Sequence, residues 1–309
     1  MTLRSANKTT TCWLAPAKLN LFLHVTGRRA DGYHLLESVF RLIDVCDELR
    51  FDVRPDGELR LSTRFASIEG ATPAGEDAAP LQQSWPDDAD LCVRAARLLQ
   101  RHTGCSLGAD IAVCKRIPVG GGLGGGSSDA ATTLMALNAL WNLSLSAQEL
   151  AGLGLELGAD VPFFLFGGNA FVEGIGEQLT PLITPQTWFV IVHPGVAVPT
   201  PLIFGAADLT RDTKAVKMSD FSAGPLGFGR NDLQAVAARA FPAVADALKW
   251  LSDFGAARMT GSGACVFVAV ASESQAEMIC QSVPAGSGWR AWKARSMAAH
   301  PLASRLEVV

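Results

Sequence analysis

The feature that most constrains this chain is the run Pro118-Val119-Gly120-Gly121-Gly122-Leu123-Gly124-Gly125-Gly126-Ser127-Ser128. Six glycines in seven positions permit positive φ and let backbone N–H groups approach a ligand with no Cβ in the way. The strand-like segment Ile111-Ala112-Val113-Cys114-Lys115 runs into it, and an Ala-, Leu- and Met-rich helix predicted from Ser127 to about Trp141 runs out. The loop therefore ends at a helix N-terminus, where unpaired N–H groups and the helix dipole together favour an anion. The phosphate chain of a nucleotide fits this context better than a flexible linker does, because linkers do not join a strand directly to a helix start.

Two familiar patterns nearly fit and both fail. Gly120-x-Gly122-x-x-Gly125 matches a dinucleotide fingerprint, yet Lys115, Arg116 and Pro118 precede it, and no acid stands about 20 residues downstream. Gly121 to Ser128 matches a P-loop except that Ser127 replaces the lysine, so positive charge on the terminal phosphates must come from elsewhere.

At 309 residues the chain can form one large domain or two closely packed ones. A hydrophobic content of 49% against 18% charged residues excludes disorder, and a net charge of −4 offers no long-range attraction to nucleic acid or an anionic membrane. The seven cysteines (Cys12, Cys46, Cys92, Cys105, Cys114, Cys265, Cys280) form no C-x-x-C pair and read as small buried hydrophobes in a reducing compartment. His24, His102, His193 and His300 show no metal-ligand spacing. No apolar run approaches the ~18 residues of a membrane span, and the N-terminal residues lack the apolar stretch of a signal peptide, so a soluble cytoplasmic protein is expected.

Along the chain, residues 13–53 read as strands and turns, and the proline-rich, acidic stretch 66–90 as a surface excursion. A helix carries Leu91, Ala95, Leu98 and Leu99, with Gly104 just past its end, and another opens on the capping box Ser146-Ala147-Gln148-Glu149 and stops near Gly158. Strands are expected at 170–173, 188–193, 264–270 and 289–295, with a Pro/Gly-rich loop at 205–229. Helices are expected after Asn231 as cap, from Pro242, and from the signature Ser272-Glu273-Ser274-Gln275. Strands and helices mix without strict alternation, which favours an α+β fold, with a domain boundary near 165–180.

Two charged residues stand in unusual company. Lys18 is an isolated cation in the apolar segment Ala15-Pro16-Ala17-Lys18-Leu19-Asn20-Leu21, and Asp160 lies between a helix end and the bulky run Val161-Pro162-Phe163-Phe164. Taken alone, the first reads as a snorkelling surface lysine and the second as an ordinary cap or turn aspartate. Paired, they would make a general base beside a cation that steadies developing negative charge.

The segments Ala15 to Leu23, Asp31-Gly32-Tyr33-His34, Lys115 to Ala130, Leu157 to Pro162 and Thr260 to Phe267 resemble, in order, the motifs of the GHMP small-molecule kinases. The resemblance covers almost the whole chain. It implies a two-domain α+β architecture, with a ribosomal-protein-S5-like N-terminal domain over 1–170 and a ferredoxin-like C-terminal domain over 171–309. It also implies ATP as phosphoryl donor, Mg²⁺ with ligands unassigned, and a small-molecule acceptor rather than nucleic acid or membrane. PAKLNLFL, R-x-DGYH and LGADVPFF are similar to the branch that phosphorylates the 2-hydroxyl of a cytidine-diphosphate-linked methylerythritol, in the non-mevalonate route to isoprenoids.

Carried over residue by residue, the resemblance assigns Pro118, Val119, Gly120, Gly121, Gly122, Leu123, Gly124, Gly125, Gly126, Ser127 and Ser128 to the triphosphate. It makes Asp160 the base on the acceptor hydroxyl, with Lys18 beside it supplying the charge that Ser127 lacks. Asn20 would line the acceptor site, Tyr33 would stack on the cytosine, the His34 backbone would read the base edge, and Phe204 would be the second stacking ring. Thr260-Gly261-Ser262-Gly263-Ala264 would close the site from the second domain. Two departures stand out: Asp129 follows the serines where many relatives carry asparagine, and 66–90 is longer and more acidic than expected. A homoserine- or mevalonate-type kinase, or a nucleotide-binding regulator without catalysis, are the rival readings.

Overall fold

A computed structural model describes residues 11–72, 89–222 and 224–303. Its frame begins with a long antiparallel pair, β1 (Trp13–Arg28) and β2 (His34–Arg54), joined by a turn at 29–33. Strand β3 (Leu59–Phe65) runs parallel to β4 (Gly108–Lys115), and helix α1 (Leu91–Thr103) lies between them in the chain. Asp90 accepts the Cys92 N–H to cap α1, and Gly104 ends it at φ +69°. Most of the excursion expected at 66–90 lies outside the described residues, in 73–88.

Helix α2 (Gly125–Leu140) starts two residues before the predicted Ser127, inside the glycine run itself. Next comes α3 (Ala147–Leu157), whose Ser146–Glu149 capping box forms as read, and then the short α4 (Val161–Phe166). Strands β5 (Ala170–Glu173) and β6 (Gln178–Pro181) return to the first sheet, whose order is β3-β4-β2-β5-β6 with β1 also on β2. A cut at 170/171 would sever β5 and β6 from β2, so we propose that the division between the halves falls between Pro181 and Trp188.

The second half is antiparallel throughout. Strand β7 (Trp188–His193) is followed by α5 (Thr200–Gly205), α6 (Met218–Ser222), α7 (Gln234–Ala240) and α8 (Pro242–Leu251). Strands β8 (Arg258–Met259) and β9 (Val266–Val270), helix α9 (Glu273–Gln281) and β10 (Arg290–Arg295) complete a sheet of order β10-β7-β9-β8. This is the split β-α-β order of a ferredoxin-like domain. Two expectations change here. The 205–229 loop contains the α6 turn, and α7 starts after Leu233 rather than at Asn231. Asn231 still accepts the Leu233 N–H at Oδ1, a cap-type bond just ahead of α7, while its amide N–H groups donate to the Met259 and Gly261 carbonyls.

Period-2 alternation decides how the halves join. Phe189 and Ile191 of β7 and Phe267 of β9 pack against Leu19, Leu21 and Val39 of the first sheet. Val190, Val192, Val266 and Val268, on the opposite faces, pack under α8 and α9. A third cluster, including Trp13, Phe40, Leu99, Leu134 and Phe163, lies between the first sheet and its helices. Cys92, Cys114, Cys265 and Cys280 are buried as expected, whereas Cys12 is exposed, and none is in a disulfide. Among the described residues no helix is long and apolar enough to cross a membrane.

Candidate active site

The glycine run is stitched into place by backbone bonds from both halves. Lys18 N–H donates to the Leu123 carbonyl (2.9 Å), Ala264 N–H to Gly120 (3.2 Å) and Cys265 N–H to Gly121 (3.1 Å). Gly122, at φ +74°, lies so close to the 260–263 turn that a Cβ would stand 2.1 Å from the Thr260 carbonyl oxygen. Gly124, at φ +75°, occupies the N-cap of α2, and a Cβ there would press on Lys18 Cγ at 3.1 Å. Glycine is needed at both positions for conformation and for space.

Gly120, Gly122 and Gly124 face two cavities. One, of about 560 Å³, is lined by the loop from Pro118 to Ser127 together with Phe65, Asp90, Leu91, Lys115 and Asp129. The other, of about 650 Å³, is lined by Lys18, Asn20, Tyr33, His34, Asp160 and Phe204, with Gly261, Ser262 and Gly263 closing one side. Of the sequence-predicted loop residues only Ser128 lines neither: it is wholly buried and its N–H donates to the Gly124 carbonyl within the helix start.

Lys18 and Asp160 meet in the second cavity, Nζ to Oδ2 at 3.3 Å. Lys18 is 3% exposed, and so deeply buried an ammonium needs partners. It also donates to Asn20 Oδ1 (2.7 Å) and lies 4.4 Å above the centre of the Phe40 ring. Asp160 occupies the N-cap position of α4 but makes no capping bond, so its one-third-exposed carboxylate is left facing Lys18 and the cavity. Asn20 is the hub of this corner: Oδ1 also accepts the Gly261 N–H (2.9 Å), and Nδ2 donates to Ser38 Oγ (2.9 Å). Its backbone N–H donates to Thr260 Oγ1 (3.0 Å), tying β1 to the second domain's turn.

Beneath the first cavity lies a group that the sequence reading left unassigned. Lys115, at the end of β4, bonds the carboxylates of Asp47 on β2 and Asp129 in the first turns of α2, the latter at 2.6 Å. Asp47 Oδ1 also accepts the Ile117 N–H (2.8 Å), anchoring the approach to the glycine run. Burial alone would lower the Lys115 pKa; the two carboxylates outweigh it and raise it. Burial drives Asp129 the other way, well above the usual carboxylate range despite Lys115, and its Oδ1 has no partner. The local signal was Asp129 itself, an acid directly after the two serines that end the glycine run.

At the far wall, Tyr33 is 58% exposed and the His34 and Phe204 rings stand 5.0 Å apart at 37°. Flat rings at an open cavity mouth suit a planar ligand.

Two family models match, GHMP kinases N terminal domain over residues 90–168 and GHMP kinases C terminal over 215–286. A 4-diphosphocytidyl-2-C-methyl-D-erythritol kinase from Herminiimonas arsenicoxydans is 59% identical over 292 residues, covering 94% of this chain and 96% of that one. The chain belongs to the GHMP kinases. The crystal structure of a 4-(cytidine 5'-diphospho)-2C-methyl-D-erythritol kinase superposes at a TM-score of 0.72 with 33% identity, over 93% of this chain and 99% of the other. The mevalonate kinase of Methanococcus jannaschii shares the fold at a TM-score of 0.65 but only 17% identity, covering 94% of this chain and 100% of the other. With relatives at 51–59% identity that carry the name 4-diphosphocytidyl-2-C-methyl-D-erythritol kinase, the chain is a phosphotransferase with an alcohol group as acceptor.

Proposed function

We propose that this GHMP kinase transfers the terminal phosphoryl group of ATP to the 2-hydroxyl of 4-diphosphocytidyl-2-C-methyl-D-erythritol. The observation that carries the reading is a single glycine wall shared by two cavities, with a lysine–aspartate pair on one side of it. A triphosphate laid along 118–127 from the first cavity brings its end to Gly120, Gly122 and Gly124, where the second cavity opens. The unpaired N–H groups at the start of α2 and the dipole of that 16-residue helix favour its charge.

Asp160 accepts the proton of the acceptor hydroxyl as the oxygen attacks phosphorus in line. Lys18, held by Asn20 and the Phe40 ring, stabilises the charge that spreads over the transferring group. Phosphoryl transfer asks the protein mainly for positioning and electrostatics, and a rigid loop bonded to both domains provides the first. Mg²⁺ supplies charge neutralisation to the phosphates when bound. It needs only one or two protein oxygens beside the nucleotide's own, and half-buried Ser127 on the first cavity fits that role better than Asp129, which Lys115 holds.

Tyr33, His34 and Phe204 favour a nucleobase on the acceptor over a small hydroxy acid, and Asn20 would sit alongside the polyol. The 51–59% identical relatives carrying this name support the same substrate. A cytoplasmic location belongs to the same proposal. The test is ADP release from ATP with the cytidylylated substrate beside the same polyol phosphate without its cytidylyl group. Turnover is expected with the first alone; equal turnover with both, or with mevalonate or homoserine instead, refutes the acceptor, and none with any acceptor refutes catalysis.

A further inference from the structure

Arg211 lies between α5 and α6, in none of the motifs above, and does not line the acceptor cavity. Its guanidinium is nevertheless among the most fully engaged groups of the second domain. Nη2 donates to the carbonyls of Phe204 (3.0 Å) and Ala206 (2.6 Å), Nη1 to that of Leu209 (3.1 Å), and Nε to the His34 imidazole at Nε2 (3.0 Å). Three acceptors gather the end of α5 and the chain after it around one planar fork. The fourth is a side chain 177 residues away, at the start of β2 beside Tyr33. One residue thus fastens the end of α5 to the start of β2, making of His34 and Phe204 a single wall against which a flat ring would lie.

The bond to His34 has a chemical consequence. A guanidinium has only donors, so His34 Nε2 must be the acceptor, and the ring is neutral with its proton on Nδ1. Burial, and the charges of Arg211 and Arg28, push the His34 pKa down in the same sense. The ring's orientation and its 5.0 Å spacing from Phe204 follow from bonds made by Arg211 to His34 on one side and to the Phe204 carbonyl on the other.

We propose that Arg211 is a positioning residue for the acceptor's nucleobase: it sets the spacing of the His34–Phe204 wall and the tautomer of His34, and through them the affinity for the cytidylyl group. This rests on the reading that the acceptor carries such a group. Lysine cannot replace it, because a single ammonium cannot reach three carbonyls and an imidazole in one plane.

The test uses the full chain with Arg211→Ala and Arg211→Lys. Nitrogen-15 NMR of the imidazoles, with the His34 signal assigned by its loss in His34→Gln, reads the tautomer without any acceptor. The wild type is expected to show Nδ1–H, and both variants a mixture of tautomers. Calorimetric affinity for cytidine 5'-diphosphate and KM for the cytidylylated acceptor are expected to weaken about tenfold in both variants. The KM for ATP and kcat should stay within about twofold, a split that general loosening of the fold would not give. An Nε2–H tautomer in the wild type, an unchanged acceptor KM, or ATP and acceptor KM rising together overturns the proposal. Cytidine diphosphate binding that is lost in the variants, in a wild type that never phosphorylates the cytidylylated acceptor, overturns the proposed function and leaves the role of Arg211 standing. Turnover with an unaffected Arg211→Ala does the reverse.

Discussion

Replacing Asp160 by asparagine separates chemistry from stability in this site. The carboxylate is 33% exposed and its ion pair with Lys18 spans 3.3 Å, so its loss should cost no more than ~1 kcal/mol of stability. Lys18 is not orphaned by the change, because Asn20 Oδ1 at 2.7 Å and the Phe40 ring still hold it. The melting temperature should fall by roughly 2–4 °C at most. Catalysis should suffer far more. Removing a positioned general base typically costs ~10²–10⁴ in rate, or about 3–5.5 kcal/mol in the barrier at ~1.36 kcal/mol per tenfold. Asp160 faces only the end of the triphosphate and bears charge of the same sign, so affinity for a non-hydrolysable ATP analogue should not fall. Rapid-quench single-turnover measurement with labelled ATP reads the chemical step, and calorimetry reads nucleotide binding. An Asp160→Asn enzyme that keeps more than about a tenth of the wild-type single-turnover rate would contradict the base assignment. A matching loss of ATP-analogue affinity would mean that the variant had disturbed the loop and not the proton transfer.

Gly122→Ala should abolish turnover with the chain still folded, because its Cβ would overlap the Thr260 carbonyl oxygen at 2.1 Å and must push the 260–263 turn and the loop apart; ATP-analogue affinity near wild type would refute this. Lys115→Met leaves Asp47 and Asp129 buried without their cation, so chemical denaturation should show a loss of about 3–5 kcal/mol, partly restored by adding Asp129→Asn; no loss would mean that the carboxylates find other partners. His193 and His300 are buried with pKa values lowered to about 4, and each accepts a backbone N–H at Nδ1, a bond that protonation would break. Their stabilisation is complete above the unfolded-state value of ~6.5 and is lost as pH falls from there toward 4, at up to ~1.4 kcal/mol per pH unit for each. Denaturation midpoints at pH 7 and pH 5 check this, and a His193→Gln variant should show a shallower dependence; equal slopes would remove His193 from the account.

The glycine loop, the glycine that ends α1, the capping box of α3 and the existence of β7 and β9 were legible from sequence because each is written in neighbouring residues. The pairing partners were not. The β5–β6 return to the first sheet was invisible at 170–181, since nothing local in four-residue strands says which sheet they join, and the later boundary proposed above rests on that return. Asn231 makes the cap-type bond that its place suggested, to the Leu233 N–H, but its bonds to the Met259 and Gly261 carbonyls could not be read from neighbouring residues.

For the site, the sequence by itself determined only the candidates: a run of glycines between a strand and a helix, an ammonium in an apolar strand, a carboxylate before a bulky helix. Tertiary structure decided what each one meets. Lys18 finds Asp160, Lys115 finds Asp47 across 68 positions, and Arg211 finds His34 across 177. Charge and hydrogen-bonding capacity belong to the residue, whereas burial, partner and direction are properties of the folded chain, and it is these that turn an ordinary lysine, aspartate or arginine into part of a site.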